Sequence, residues 1–130
     1  MLDSFDPSQT GGLCGLGVDP ITGNAWVYQC SSATIEGYTP TGTFLAAFPR
    51  PGESANDVDI EFAPASMNFA GTTIPEGTML FINGETGVAE IYAIDTATGS
   101  VLATLVTAFG ASHVVGGGYS PVRDTFFLVQ

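Results

Sequence analysis

Glycine and proline interrupt this chain so often that long helices are excluded. The 130 residues include 17 glycines and 8 prolines. The short segments between them are rich in valine, isoleucine, phenylalanine, tyrosine and threonine, which are the residues favoured in strands. No segment repeats apolar residues at the i, i+3, i+4, i+7 spacing of a helix over three turns. The sequence therefore predicts an all-β fold.

Length and charge limit the class of protein. A chain of this length forms one domain, residues 1–130, and 45% hydrophobic residues are too many for a disordered chain. Thirteen acidic residues face two arginines and no lysine, which gives a formal net charge of −11. Such a surface repels phosphate backbones and anionic lipid headgroups. Nucleic acid is therefore not an expected partner. Membrane insertion is not expected either, since no apolar stretch approaches 18 residues.

One pattern occurs three times: a strand that ends in a small or acidic residue followed by proline. The three copies are residues 13–20 (LCGLGVDP), 57–64 (DVDIEFAP) and 114–121 (VVGGGYSP). A hydrophobic strand follows each copy. After the first two copies, a third and a fourth strand follow, and residues 33–49 align with residues 90–106 on their Thr-Gly turns. The repeating unit is therefore four strands in roughly 40–50 residues.

Four-stranded repeats of this length are typical of β-propeller blades. Residues 15–28 (GLGVDPITGNAWVY) resemble the inner hairpin of NHL- and YVTN-type propeller repeats, and residues 92–102 (YAIDTATGSVL) resemble their outer hairpin. The resemblance covers nearly the whole chain and implies a fold without implying one activity. It implies a partial propeller of four-stranded antiparallel blades: an orphan outer strand at 1–7, a blade at 12–49, a blade at 56–106 and a half blade at 113–130.

The second blade is longer than the first because of an insertion at residues 65–77. If that insertion is a surface loop, its deletion should leave the fold intact.

Two and a half blades leave the ring of a propeller open, because known rings have about four or more blades. Open blade faces and bare strand edges favour association. Either the chain is a fragment of a larger propeller, or copies of it complete one another, with the first strand of one chain joining the last hairpin of another. The simplest closed form is a dimer with a ring of about six blades, whereas an open head-to-tail arrangement grows a filament.

The two cysteines flank the first predicted hairpin turn. We expect that turn to centre on Thr22, which pairs Leu16 with Tyr28. The same register places Cys14 opposite Cys30, with Cβ atoms about 4.5–5.5 Å apart. Two alternatives remain open: a cross-strand disulfide formed in an oxidising compartment, or two free cysteines that pack as small hydrophobic residues. A zinc site is not expected, because the chain has no CxxC and one histidine.

The propeller resemblance implies a ligand face, formed by the loops that enter the innermost strands and those that join the second strand to the third. On this chain that face carries Asn56, Asn83, Glu85 and His113. His113 is a weak candidate for a general base or a metal ligand, since a lone histidine is more often a satisfied loop residue. No G-x-S-x-G, P-loop or strand-to-helix G-x-G-x-x-G motif accompanies it.

Three acidic residues, Asp57, Asp59 and Glu61, alternate with apolar residues. A strand places their carboxylates on one face, with neighbours about 6–7 Å apart. The functional interpretation is a site for Ca²⁺ or another hard cation near the ring axis. The alternative is a solvated strand beside a wet channel, and the loops lack the D-x-D-x-D-G spacing of calcium sites. The Gly116–Gly118 run is better explained by crowding near the axis than by phosphate binding.

The sequence favours a non-enzymatic module, extracellular or in the cell envelope, that acts by self-assembly, ligand binding or both. Its expected partners are copies of itself, and its expected cofactors are none apart from the candidate Ca²⁺. The alternative is part of a propeller hydrolase or lactonase-like enzyme, with a divalent cation on the acidic strand and His113 as base. A fragment of a larger propeller is the third interpretation.

Overall fold

The computed structural model describes residues 12–52, 57–84, 89–107 and 113–129. Their regular structure consists of strands, which confirms the all-β prediction, and these four segments contain no helix that is long and apolar enough to cross a membrane. The predicted outer strand at 1–7 lies outside the described residues. The strands are β1 (Leu13–Val18), β2 (Ala25–Gln29), β3 (Thr34–Tyr38), β4 (Phe44–Pro49), β5 (Val58–Phe62), β6 (Met67–Phe69), β7 (Thr72–Ile74), β8 (Met79–Asn83), β9 (Glu90–Asp95), β10 (Ser100–Val106), β11 (Gly116–Ser120) and β12 (Thr125–Val129).

Two four-stranded antiparallel sheets form the body of the molecule. The first sheet has the order β1-β2-β3-β4, and the middle sheet has the order β5-β8-β9-β10. Two further hairpins, β6-β7 and the last hairpin β11-β12, form two-stranded sheets. The prediction of four-stranded antiparallel sheets is therefore confirmed for the first two units.

The same turn closes a hairpin in each of the two large sheets. In the first sheet, the Asp19 carboxylate accepts hydrogen bonds from the Ile21 N–H (2.9 Å) and the Thr22 hydroxyl (2.5 Å). In the middle sheet, the Asp95 carboxylate accepts from the Ala97 N–H and the Thr98 hydroxyl, both at 2.9 Å. Side-chain oxygens that bind their own backbone favour turns. The Asp-x-x-Thr-Gly pattern in the sequence therefore marks the end of a strand.

The register of the first hairpin differs from the predicted one by a residue. Leu16 lies opposite Val27, and Tyr28 lies opposite Gly15. The Asp19 N–H donates to the Asn24 carbonyl, so the turn centres between residues 21 and 22 and not on residue 22. The predicted pairing of Leu16 with Tyr28 is therefore wrong, and a β-bulge between Leu13 and Gly15 contains Cys14.

The middle sheet is covered on both faces at β8, whose five residues are all buried. On one face, Phe81 packs edge-on against Tyr28 of the first sheet, with ring centroids 5.3 Å apart. On the other face, Leu80 and Ile82 join a second core that also includes Phe126 of the last hairpin. Each fully buried side chain of this size stabilises a fold by about 1.5–3 kcal/mol. The molecule is thus layered as first sheet, middle sheet and last hairpin.

Strands β1 and β5 lie in close contact across the first interface between layers. A Cβ at Gly17 would lie 2.5 Å from the carbonyl oxygen of Ile60, and one at Gly15 would lie 3.1 Å from Cγ1 of Val58. Real Cβ atoms do not approach a backbone oxygen so closely. Glycine at position 17 is therefore what allows the two strands to meet, whereas a Cβ at Gly15 would make a tight contact with Val58.

The segment 65–77 contains the β6-β7 hairpin, which is part of the second core. Phe69 and Ile74 are buried in that core, and the Phe69 ring lies edge-on to Phe126 at a centroid distance of 5.9 Å. The expectation that this segment is a dispensable surface loop is contradicted by this packing. Its deletion would expose one face of the middle sheet.

Candidate functional site

Three chain segments meet at one corner of the molecule: the start of β5, the end of β8 and the residues just before β11. The Gly84 N–H donates to the Asp57 carbonyl (2.9 Å), and the Val114 N–H donates to the Gly84 carbonyl (3.3 Å). His113 precedes Val114, and its Nδ1 contacts the Asp57 carboxylate. These backbone bonds hold the two side chains at the same end of neighbouring layers.

Only part of the predicted ligand face falls on described residues. Asn83 is buried at the end of β8, opposite Val58, and His113 is 77% exposed at the same corner. Asn56 and Glu85 lie outside the described residues. A carboxylate on Nδ1 orients an imidazole so that Nε2 can accept a proton, as in histidine bases. The corner therefore offers an oriented but largely solvated histidine.

The acidic side chains of β5 point away from the first sheet and toward the last hairpin. The Asp59 carboxylate accepts hydrogen bonds from the N–H groups of Gly117 (3.0 Å) and Ile60 (2.9 Å). Asp57 contacts His113 instead. Across the described segments, no group of three histidine, cysteine, aspartate or glutamate residues is placed to hold a metal ion. The Ca²⁺ site of Asp57, Asp59 and Glu61 stays a prediction.

Burial raises the pKa of the Glu61 carboxyl, and the nearby charge of Asp59 raises it further. Because the pKa is higher in the folded chain than in the unfolded chain, ionisation of Glu61 opposes folding. The stability associated with its proton is fully present below the ordinary glutamate pKa of about 4.3 and is lost as the pH rises through the folded-state value.

Glu61→Gln is therefore expected to stabilise the fold at pH 7 and to have no effect near pH 3. The gain should be a few tenths of a kcal/mol, because Glu61 is only half-buried and water screens its charge. Urea unfolding at both pH values measures it. Glu76→Gln removes an exposed carboxylate and controls for the lower net charge. Equal gains in stability for Glu61→Gln and Glu76→Gln would show that the lower net charge, and not the local environment of Glu61, causes the effect.

Cys14 and Cys30 are joined in a disulfide, with Cα atoms 5.9 Å apart. Both are partly buried against the core between the first and middle sheets. The Cys30 N–H donates to the Gly12 carbonyl (3.1 Å), which continues the pairing of β1 with β2 past the bulge. The disulfide thus closes the open end of the first hairpin.

The two outermost layers each expose apolar side chains, on the edge strand β1 of the first sheet and on β12 of the last hairpin. Leu16 and Val18 on β1 alternate with the glycines that contact β5, so they point outward from the first sheet. Leu16 is 59% exposed. On the last hairpin, Phe127 (52% exposed) and Val129 point away from the middle sheet, because Phe126 and Leu128 pack on it. We call these surfaces the sheet end face (Leu16, Val18) and the hairpin end face (Gly116, Gly118, Phe127, Val129).

A buried polar cluster, which the sequence analysis missed, lies on the same side of the first sheet as Leu16. The Glu36 carboxylate accepts hydrogen bonds from the Tyr38 hydroxyl (2.6 Å) and the Gln29 side-chain amide (3.3 Å). All three residues are buried. Because side chains alternate along β3, Glu36 lies on the opposite face from Ile35, which is the outer face. The sequence pattern does not indicate that Glu36 is buried there.

A groove of about 560 Å³ lies between the β6-β7 hairpin and the β9-β10 turn. Its walls include Glu76, Thr78, Asp95 and Leu102. The Thr78 hydroxyl donates to the Pro75 carbonyl, and both Asp95 oxygens accept hydrogen bonds from their own turn. Most of these polar groups are therefore already engaged in holding the local backbone.

No protein-family model matches this chain, and no curated protein matches it in sequence.

Proposed function

We propose that this chain is a non-enzymatic β-propeller module that acts by associating with copies of itself through its two end faces. One observation carries the proposal: apolar side chains of β1 at one end of the stack and of β12 at the other end are exposed. Both faces of β8 are buried, whereas Leu16 and Phe127 on the outermost layers are each more than half exposed. On the first sheet this exposure is confined to the edge strands, because four of the five residues in each of β2 and β3 are buried.

Clustering of the exposed apolar residues distinguishes these faces from ordinary surface. Single exposed hydrophobic residues are common in monomeric proteins, but contiguous patches mark interaction sites. Leu16 and Val18 are neighbours on one face of β1, and Phe127 and Val129 are neighbours on one face of β12. Burial of one such side chain stabilises a contact by about 1.5–3 kcal/mol.

The arrangement of the layers supports the propeller form of the proposal. The two large sheets share the same strand order from their first strand. Their first strands, β1 and β5, contact each other, and Asp59 of β5 binds the backbone of β11 at Gly117. Blades that meet through their first strands are typical of a ring around an axis.

The disulfide supports a location outside the cell or in its envelope. Disulfides persist in oxidising compartments and are rare in the cytosol. The net charge of −11 keeps such a module soluble and disfavours anionic partners such as nucleic acid.

Light scattering coupled to size exclusion tests the proposal. We expect a mass above the 13.4 kDa of one chain, rising with protein concentration. Association should strengthen from about 0.01 M to about 1 M salt, because the Debye length falls from about 30 Å to 3 Å and the repulsion between acidic copies is screened. A mass of one chain at every concentration and salt would overturn the proposal.

A second candidate function, part of a propeller hydrolase, is favoured by the contact of His113 with Asp57. Such a pair orients a histidine as a general base, and the hydrolase would also hold a divalent cation on the acidic face of β5. Metal analysis of the purified chain discriminates between the two functions. A stoichiometric cation that only a chelator removes would favour the enzyme, and its absence would favour the assembly module.

A further inference from the structure

The hairpin end face has the same layout as the face with which the first sheet packs on the middle sheet. Alignment on the turn prolines makes Gly17 equivalent to Gly118 and Trp26 equivalent to Phe127. Register agrees with the alignment, since Gly17 lies opposite Trp26 and Gly118 lies opposite Phe127. In both hairpins, therefore, a glycine on the first strand sits beside a large ring on the second.

The glycines of the first sheet form a trough that receives the middle sheet. Because Gly15 and Gly17 lack side chains, β5 lies so close to β1 that a Cβ at Gly17 would collide with Ile60. On the hairpin end face, a Cβ at Gly118 would meet nothing within 4 Å. The equivalent trough of the last hairpin is thus open.

The sheet end face carries the side chains that such a trough receives. Alignment on Pro20 and Pro64 makes Leu16 equivalent to Ile60, which fills the trough at Gly17 inside the molecule. Leu16 is exposed, on the face of β1 opposite to its glycines. The exposed side chains of β1 at one end of the stack therefore match the open glycine of β11 at the other end.

We infer that copies of this chain dock head to tail, with Leu16 of one copy seated over Gly118 of the next. This inference rests on the proposed function and specifies its interface. The partner is a second copy because the interface between the first and middle sheets already shows the same two kinds of face packed together. The contact is heterologous, since each copy contributes a different face, and it generates a closed ring or an open filament.

Complementary variants test the inference. Leu16→Asp alters only the sheet end face, and Phe127→Asp alters only the hairpin end face. Each variant alone should self-associate at least about tenfold more weakly than the wild type, because a carboxylate must be desolvated at every contact. An equal mixture should recover a dimer of one copy of each, because Phe127→Asp keeps its sheet end face and Leu16→Asp keeps its hairpin end face.

A third variant probes the trough itself. Gly118 has an ordinary strand conformation and open space at its Cβ, so Gly118→Val should fold normally and yet fail to self-associate. Val122→Asp is the matched control, because Val122 is 95% exposed in the β11-β12 turn and lies on neither end face. It should associate like the wild type. Circular dichroism checks the fold of every variant, and Val18→Asp replaces Leu16→Asp if the latter does not fold.

The outcomes separate the inference from the proposed function. A monomeric wild type overturns the proposed function and the inference together. Suppose instead that the wild type associates, Leu16→Asp does not, and Phe127→Asp still does. The sheet end faces then pair with each other, which overturns the head-to-tail contact and retains self-association. An equal mixture of Leu16→Asp and Phe127→Asp that stays monomeric, while the wild type associates, also overturns the inference.

Discussion

Gly17→Val is expected to lower the free energy of unfolding by about 3 kcal/mol, the upper end of the cost of overpacking a core. A Cβ at this position would lie 2.5 Å from the carbonyl oxygen of Ile60 and 2.6 Å from its Cγ2. The collision involves backbone, so rotation of a side chain cannot relieve it. Strands β1 and β5 would have to separate, and the core between the two large sheets would open with them.

Gly118→Val is the matched control for this prediction, because Gly118 is the equivalent residue of the last hairpin and its Cβ has open space. Urea unfolding at a protein concentration low enough to keep both variants monomeric compares the two substitutions directly. We expect a large loss for Gly17→Val and a change within about 0.5 kcal/mol for Gly118→Val, as at ordinary surface positions. Similar losses in both variants would mean that the close contact of β1 with β5 is not what requires glycine.

Strands were predictable from this sequence because glycine and proline separate them clearly. The inner strand at residues 114–121 was predicted from its proline turn, and its glycines were ascribed to crowding. Crowding applies to Gly117, where a Cβ would be 2.5 Å from Cδ1 of Ile82, but not to Gly118, where a Cβ would meet nothing within 4 Å. Short-range patterns of this kind depend on a few neighbouring residues, so the sequence contains what is needed to identify them.

Register was harder to predict because neighbouring residues compete for the same position across a turn, and burial was harder because it depends on contacts that are distant in sequence. One hydrogen bond, from the Asp19 N–H to the Asn24 carbonyl, shifts the pairing of β1 with β2 by a residue. The unequal spacing of the turn prolines, 44 and then 57 residues, predicts an insertion at 65–77 but does not indicate whether it packs on the core. Phe69 and Ile74 flank the Ala70–Gly71 turn, and this hairpin pattern was the available signal.

The candidate site likewise combines residues that a local pattern identifies with contacts that depend on the whole fold. His113 and Asp57 were each singled out by residue type, but they lie 56 residues apart, and no local pattern predicts their contact. Glu36 was not singled out, because a carboxylate in an alternating strand is normally solvated. In the folded sheet, Tyr38 and Gln29 donate hydrogen bonds to this buried carboxylate. These contacts become visible in the structure and not in the local sequence pattern.

Reduction of the Cys14–Cys30 disulfide is expected to lower the free energy of unfolding by about 3 kcal/mol. The bond closes a loop with a sequence separation of 16, and cross-linking a loop of about 15 residues restricts the unfolded chain by about that amount. The loop includes the β1-β2 hairpin from Cys14 onward, which carries both the glycine trough and the sheet end face. Urea unfolding with and without a reductant measures the difference.

The double variant Cys14→Ala with Cys30→Ala supplies the control for this measurement, because a reductant cannot act on it. It should unfold at the same urea concentration with and without reductant, close to that of the reduced wild type. Both sulfurs pack on the core between the first and middle sheets, so the variant also loses some packing and should be slightly the less stable of the two. If reduction left the unfolding midpoint of the wild type unchanged, the hairpin would be held by its hydrogen bonds and core contacts alone. The structural reason for an oxidising location would then be lost.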